Sequence, residues 1–326
     1  MKLGYALLAE QAGPVQLVAH AVHGEASGFD FEMISDSFAP WLPVQGHAPN
    51  AWPVLGAIAH ATERVELMTY VTNPIGRYHP AIIAQLAGTV SVMCEARFTL
   101  GLGLGAHVNE HALSRSWPSQ RVRLEMLAEA AEIIEGLLRG NTVDFAGEHF
   151  QVEGARLWDV PKRFPAIGLE VTGPELAMVA GRRFDAMLCA EPSAELVQHF
   201  EDSGGLGAPR IGQLAICYDP DPTAALARAH EQFRFRALSA DAAAVAPGPH
   251  AVHDAARFVR PEDVASVVPT GPDLDLYRTA VAGFAQAGYS HLAIAQVGGE
   301  QQAEFLDWAQ QTLIPALRAD DLIDQI

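Results

Sequence analysis

Two hydrophobic periods alternate along this chain. Short apolar runs of strand type are followed by stretches with apolar residues every three to four positions, the helical spacing. Residues 3–8 read as a strand. Residues 15–26 follow as a helix, with Pro14 at its start and Gly28 just past its end. The alternation continues with a strand at 31–35, a helix at 52–61, a strand at 65–71, a helix at 81–93 and a strand at 97–101. Residues 121–138 form a strong helix, with Leu124, Leu127, Ala131, Ile134, Leu137 and Leu138 on one face. Residues 142–152 break the rhythm and alternate like a small hairpin around Ala146 and Gly147. It resumes with strands at 166–171, 186–190, 211–217 and 291–295, and helices at 175–181, 194–202, 222–235, 275–286 and 302–316. The segment 237–262 is rich in Ala, Pro and Gly, and reads as an irregular insertion.

Eight strands, each followed by at least one helix and with no antiparallel run, predict an α/β fold. They close naturally into a (β/α)8 barrel, with insertions after the fourth and seventh strands; an open doubly wound sheet is the alternative. In a barrel the loops after the strands carry function. The segments 36–41, 71–77 and 103–110 should therefore meet at one face.

Composition narrows the function classes. The chain has 326 residues, 49% of them hydrophobic, enough for a large core. Its formal charge is −18. Without a basic footprint, nucleic acid and anionic membrane surfaces are not expected partners. The N-terminal apolar run is too short for a secretory signal, and no run is long enough to span a bilayer. Cys94, Cys189 and Cys217 are scattered in apolar contexts. They suit core positions in a reducing cytoplasm rather than a disulfide framework.

The candidate chemistry lies after the strands. GLGLGA, 101–106, loosely fits a dinucleotide motif, but it follows the fourth strand and no strong helix follows at once. Its glycines either let the strand end turn tightly or let backbone approach a cofactor closely. TYVTNPIGRYHP, 69–80, is a stiff loop with Arg77 and Tyr78 inside it, and Arg77 would contact an anion or a carboxylate. His20, His23 and His60 fall within helices, at the surface or its edge. His107 and His111 are four apart beside Glu110, but no third ligand is visible, so no metal is expected. No G-x-S-x-G elbow is present.

The stretches SDSFAPWLPVQGHAP, RYHPAIIAQLAGTV, FTLGLGLGAHVNE and GEHFQVEGARLWDVP resemble the luciferase-like flavin superfamily. Within it they look most like the branch using the deazaflavin coenzyme F420, which includes F420-dependent glucose-6-phosphate and secondary-alcohol dehydrogenases. The likeness runs from residue 2 to about 181 and returns at 287–315. It implies a single barrel domain over 1–326, F420 as cofactor with FMN as the alternative, and a homodimer. At matching positions it implies that Asp36 hydrogen-bonds the deazaflavin ring. Tyr70 and Val71 would span a non-proline cis peptide behind that ring. Asn73, Leu104, Gly105 and Asn109 would line the coenzyme. Thr172, Gly173, Glu175 and Leu176 would sit near its phosphate, at a helix start whose dipole suits an anion. Trp41 would wall the substrate side.

The sequence departs from this pattern where the family keeps its acid–base pair. Ser37 and Ala106 stand where the dehydrogenases have His and Glu. A Ser hydroxyl is a poor base unless a neighbouring base activates it. The cations that hold a sugar phosphate are also missing, at 191–193 and 266–268. A reductase of an activated C=C or C=N bond, with a small-molecule or peptide substrate, fits better than an alcohol dehydrogenase. Tyr70, Ser37, His47 and His107 are the candidate proton donors. Glu10, Trp41, His47 and Glu191 are the candidate pocket residues. The rival readings are an FMN-dependent monooxygenase and a coenzyme-binding paralogue that has lost catalysis.

Overall fold

A computed structural model describes residues 1–113, 117–239 and 246–325. Four strands come first: β1 (Lys2–Leu7), β2 (Phe31–Ile34), β3 (Glu66–Thr69) and β4 (Phe98–Leu102). A two-stranded antiparallel hairpin follows, β5 (Val143–Ala146) and β6 (Gln151–Ala155). The series resumes with β7 (Ala166–Glu170), β8 (Ala186–Cys189), β9 (Arg210–Ile216) and β10 (His291–Gln296). All but the hairpin strands close into one parallel barrel, in which β10 returns to pair with β1. Ala6, Met33, Met68, Leu188, Ala293 and Ala295 fill the lumen. Alternate residues such as Leu100, Leu102, Leu169 and Ile294 pack outward against the helices. This is the period-two division that a closed sheet imposes on its two faces.

The first helices are α1 (Pro14–Ser27), α2 (Ala51–Ala61), α3 (Pro80–Met93), α4 (His107–Glu110) and α5 (Gln120–Leu138). Pro14 opens α1 and Gly28 closes it in the left-handed region. Ser119 caps α5 by accepting from the Val122 amide, and α5 buries Leu127, Ala131, Ile134, Leu137 and Leu138. Further along lie α6 (Pro174–Arg183), α7 (Ala194–Phe200) and α8 (Pro222–Phe233).

Three expectations need correction. The segment 237–262 is not irregular throughout. It contains α9 (Pro249–Ala255) and the start of α10 (Pro261–Ala265), while 240–245 lie outside the described residues. Pro249 and Pro261 each open a helix at its first turn, a favourable place for Pro that composition alone reads as loop. Second, α8 stops at Phe233, and a tighter turn over Arg234–Ala237 buries Phe235. Third, after α11 (Leu274–Gln286) the last helical segment is two helices, α12 (Gln302–Trp308) and α13 (Ile314–Ala319). A wider turn over Ala309–Leu313 joins them. The three cysteines are free and buried. Among the described residues no helix is long and apolar enough to cross a membrane.

Candidate active site at the barrel mouth

The C-terminal ends of the strands gather the expected loops. The Tyr70–Val71 peptide after β3 is cis. Tyr70 packs against the lumen residues. Its hydroxyl is buried and has no hydrogen-bond partner among the described residues. Burial pushes its pKa well up, and the charge of Glu170 adds to the rise.

Asp36, at the end of β2, is taken up by the loop after β3. Its Oδ2 accepts from the Thr72 hydroxyl at 2.8 Å, and its Oδ1 pairs with Arg77 Nη1 at 3.0 Å. Tyr78 donates to the same Oδ1 at 3.3 Å, and Arg77 Nη1 also donates to the Asp36 carbonyl at 2.8 Å. The Asp36 and Arg77 side chains are 0% and 7% exposed. Burial raises the Asp36 pKa, and Arg77 opposes the rise. Both carboxylate oxygens of Asp36 thus accept hydrogen bonds from the loop after β3. Its observed work is to tie two loops together, and Arg77 pairs with this buried carboxylate rather than a surface one. Nearby Glu110 is also raised by burial, with the Asn73 amide and Arg77 opposing.

The loop after β4 carries no side chain at two places, and neighbouring side chains close onto its backbone there. A Cβ on Gly103 would stand 2.4 Å from Val71 Cγ2 and 2.8 Å from Glu170 Oε2. Gly105 has φ +73°, and a Cβ there would stand 2.1 Å from Asn73 Nδ2. Only glycine fits either place. Asn73 Oδ1 accepts from the Ile75 amide at 2.8 Å, and its buried amide group faces Glu110. Leu104 is buried, and its carbonyl accepts from Arg123 Nη1 at 3.0 Å. Asn109 Oδ1 accepts from the Ala39 amide at 3.3 Å, linking this loop to the one after β2.

Ser37 is not alone. Its hydroxyl donates to Glu10 Oε1 at 2.7 Å, and Ser35 donates to Glu10 Oε2 at 2.6 Å. Glu10 and Ser37 are both buried. The sequence offered each residue separately but not the pair, because the loop after β1 and the end of β2 meet only when β1 and β2 are neighbours. Trp41 stacks face to face on Phe235, ring centres 5.1 Å apart and planes 2° off parallel. His47 is exposed. It lines a polar cleft of about 730 Å3 with Gln11, Gln45, Arg228 and Glu300, between the loops after β1, β2, β9 and β10.

The expected phosphate residues lie at the start of α6. Gly173 is its cap, with open space where a Cβ would be, Thr172 and Glu175 are exposed, and Leu176 is buried. Glu191 is 68% exposed and binds Arg236 Nη2 at 2.5 Å. Its carbonyl accepts from the Tyr289 hydroxyl at 2.7 Å. His107 stacks with Trp117 at 5.8 Å, and Arg123 lies over that Trp117 ring at 4.6 Å. Among the described residues no three His, Cys, Asp or Glu could share a metal ion.

Sequence reasoning missed Glu170, Arg236 and Phe235. Glu170 carried a signal: an acidic residue ending the apolar run AIGLE at the functional end of a barrel strand. Arg236 and Phe235 carried none, since they reach the mouth from a turn far along the chain.

A family model described as luciferase-like monooxygenase matches residues 1–300. The chain is 34% identical to an F420-dependent glucose-6-phosphate dehydrogenase of Tsukamurella paurometabola, over 98% of each chain. It is 33% identical to the enzyme of that name from Mycobacterium avium, again over 98% of each. Among solved structures, an F420-dependent secondary alcohol dehydrogenase in complex with an F420-acetone adduct superimposes with TM-score 0.89 at 24% identity. The match covers 97% of this chain and 99% of that one. An F420-dependent tetrahydromethanopterin reductase from Methanopyrus kandleri has TM-score 0.74 at 16% identity, with 97% and 99% covered. These two likenesses carry the fold.

Proposed function

Because the chain belongs to the luciferase-like monooxygenase family, we propose that it is an F420-dependent oxidoreductase working as a reductase of activated C=C or C=N bonds. Its acceptor is a small molecule or a peptide. The observation that carries the direction is the pair Ser37 and Ala106, where the resemblance puts His and Glu. The full-length relatives named as F420-dependent dehydrogenases support the coenzyme.

The residues at the mouth fit a flat ring. Gly103 and Gly105 let the Val71, Glu170 and Asn73 side chains close onto the loop backbone at the mouth. The Tyr70 hydroxyl is a buried polar group without a partner among the described residues, and such groups ordinarily find one. Gly103, Gly105, Val71 and Asn73 would hold the ring, with Leu104 and Asn109 beside it. Gly173, Thr172 and Leu176 would hold the phosphate at the α6 start, where unpaired amides favour an anion. Asp36 supports the ring site indirectly, by fixing the loop that bears Asn73. When bound, the coenzyme supplies a hydride, two electrons at once, and the protein supplies orientation. The Trp41–Phe235 stack walls the acceptor side and keeps water from it. A homodimer, implied by the resemblance, belongs to the proposal; a monomer by light scattering at micromolar protein would remove it.

A second reading has its own support. The Ser37 hydroxyl bonded to Glu10 can pass a substrate hydroxyl proton to that carboxylate, which would suit alcohol oxidation.

The test begins with fluorescence titration of the purified protein with F420 and, separately, FMN. Tighter F420 binding is expected. Reduced F420 is then offered unsaturated acceptors, and oxidised F420 is offered glucose 6-phosphate and secondary alcohols. Reoxidation by unsaturated acceptors alone supports the reductase. Reduction by alcohols moves the protein to the second reading. Preferential FMN binding makes it a monooxygenase, and F420 binding without turnover of any partner makes it a paralogue without catalysis.

A further inference from the structure

We propose that Arg236 binds an anionic group of the acceptor, so that the substrates of this chain carry a carboxylate or phosphate near the double bond. The inference deepens the reductase reading above and rests on it. Arg236 belongs to the short turn Arg234–Ala237 that follows α8. Phe235, its neighbour in that turn, stacks on Trp41 at 5.1 Å and meets Phe233 at 5.0 Å. These rings clamp the turn at the wall of the acceptor side. The arginines on either side of Phe235 are used differently. Arg234 donates to the Glu231 carbonyl at 2.6 Å and meets His253 Nδ1 of α9 at 2.8 Å. Arg236 Nη2 donates instead to Glu191 Oε1, in the loop after β8, at 2.5 Å. β8 is a barrel strand, so this loop belongs to the functional face. The Glu191 carbonyl accepts from the Tyr289 hydroxyl, which ties the loop to the chain entering β10. The Arg236 charge is also felt at the Tyr70 hydroxyl, beside the cis peptide, where it opposes the rise that burial imposes.

What makes Arg236 available is the partner it has. A guanidinium carries five N–H donors in a planar fork that matches carboxylate and phosphate oxygens. Among the described residues only Nη2 of Arg236 has an acceptor. That acceptor, Glu191, is 68% exposed, and the Arg236 side chain is 31% exposed. An exposed pair of this kind contributes little, because water serves the carboxylate nearly as well. Glu191 can therefore turn outward and leave the fork to a ligand anion held in its place. Arg77 and Arg123 have no such freedom. Arg77 is buried on Asp36. Arg123 donates to the Leu104 and Gly105 carbonyls and lies over Trp117. A cation thus stands at the mouth although 191–193 and 266–268 hold none. It comes from the turn that also builds the aromatic wall, so the wall and the anion site are placed together.

The experiment loads the wild type, Arg236→Met, Arg236→Lys and Glu191→Gln with F420, whose affinity is read by fluorescence. Each is then titrated by calorimetry with fumarate, with its dimethyl ester and with inorganic phosphate. The wild type should bind one of the anions about tenfold or more tightly than the neutral ester, and the better anion names the group that the acceptor carries. Arg236→Met should lose about 10–100-fold in affinity for that anion, with F420 affinity unchanged. Arg236→Lys, a cation without the fork, should recover part of the loss. Glu191→Gln should bind the anion up to about fivefold tighter, a gain that damage to the site would not produce. With an unsaturated acid that turns over, Arg236→Met should raise KM and leave kcat near the wild-type value. Equal anion affinity in the wild type and Arg236→Met overturns the proposal and leaves the coenzyme reading intact, as does a wild type that binds neither anion. Loss of F420 affinity in Arg236→Met overturns it too, because the guanidinium then serves the coenzyme. No F420 binding by the wild type removes the coenzyme reading itself, and this inference with it.

Discussion

Arg77 and Asp36 form an ion pair that water hardly reaches. Breaking such a pair leaves one charge buried alone, at a cost of about 3–5 kcal/mol. Arg77→Met should therefore lower stability by that order in urea unfolding, and a loss below about 1 kcal/mol would mean the loop relaxes to rehydrate Asp36. Ser37 and Glu10 give a second residue-level test. Ser37→Ala removes a donor from a buried carboxylate, at about 1–3 kcal/mol. Under the reductase reading its kcat with unsaturated acceptors should change only a few-fold; a loss of about 10²-fold or more would put Ser37 on the proton path. The sequence made residue types at strand ends legible, and with them the cluster of Asp36, Ser37, Tyr70 and Asn73. It did not reveal which of those groups satisfy one another. The bonds of Asp36 to Arg77, Thr72 and Tyr78 were not legible, because hydrogen-bond partners from different loops are set by strand order.

At the scale of elements, the loop after β4 is the most constrained part of the mouth. Gly103→Ala would drive a methyl into Val71 Cγ2 and Glu170 Oε2. Overpacking of this kind costs about 1–3 kcal/mol, so the variant should still fold. Its F420 affinity should fall at least tenfold while its circular dichroism stays unchanged. Unchanged affinity would mean that the ring does not lie against this loop. Elements with a clear period, such as α5 and the barrel strands, were readable within a few residues. So was the hairpin, whose turn carries Gly147. The segment holding α9 and α10 was not readable. These short helices rest on a Pro start and on packing of Val252 and Val264 against the α8 side, as the shared buried cluster shows, and neither leaves a periodic pattern.

The molecule as a whole is limited by pH from two sides. On the outer face of β2, Glu32 is buried with both oxygens unpartnered among the described residues, and burial raises its pKa well above the usual range, with Glu25 adding and Arg97 opposing. Its folded state thus binds a proton that the unfolded chain releases above its ordinary value of 4.5. Stability from this group is complete below that pH and is lost as pH rises. His291, at the start of β10, is lowered to about 4 by burial and by Lys2. It stays neutral in the fold, so its contribution is present above 6.5 and is lost as pH falls toward 4. Each group can change stability by up to about 1.4 kcal/mol per pH unit within its window. Glu32→Gln should accordingly gain melting temperature over the wild type as pH rises from about 5 to 9, and a constant difference would rule out this source. Closure of the barrel was legible from the strand count, because eight strands with helical crossovers leave few other ways to bury both faces. The carboxyl at position 32 was not, since an acidic residue in a strand reads as solvent-facing until α1 is seen to cover it, with Glu32 Oε1 2.7 Å from where a Cβ on Gly24 would stand.

The parallel stack of Trp41 on Phe235 joins two segments that are remote in the chain. Neither ring can change size or shape without leaving the other unsupported. Across related chains the two positions should consequently vary together, aromatic with aromatic and small with small, so that a change in the acceptor admitted at this wall is written as a coupled pair of substitutions. A drift of position 41 independent of position 235 among chains that share this mouth would show that the wall tolerates its halves separately.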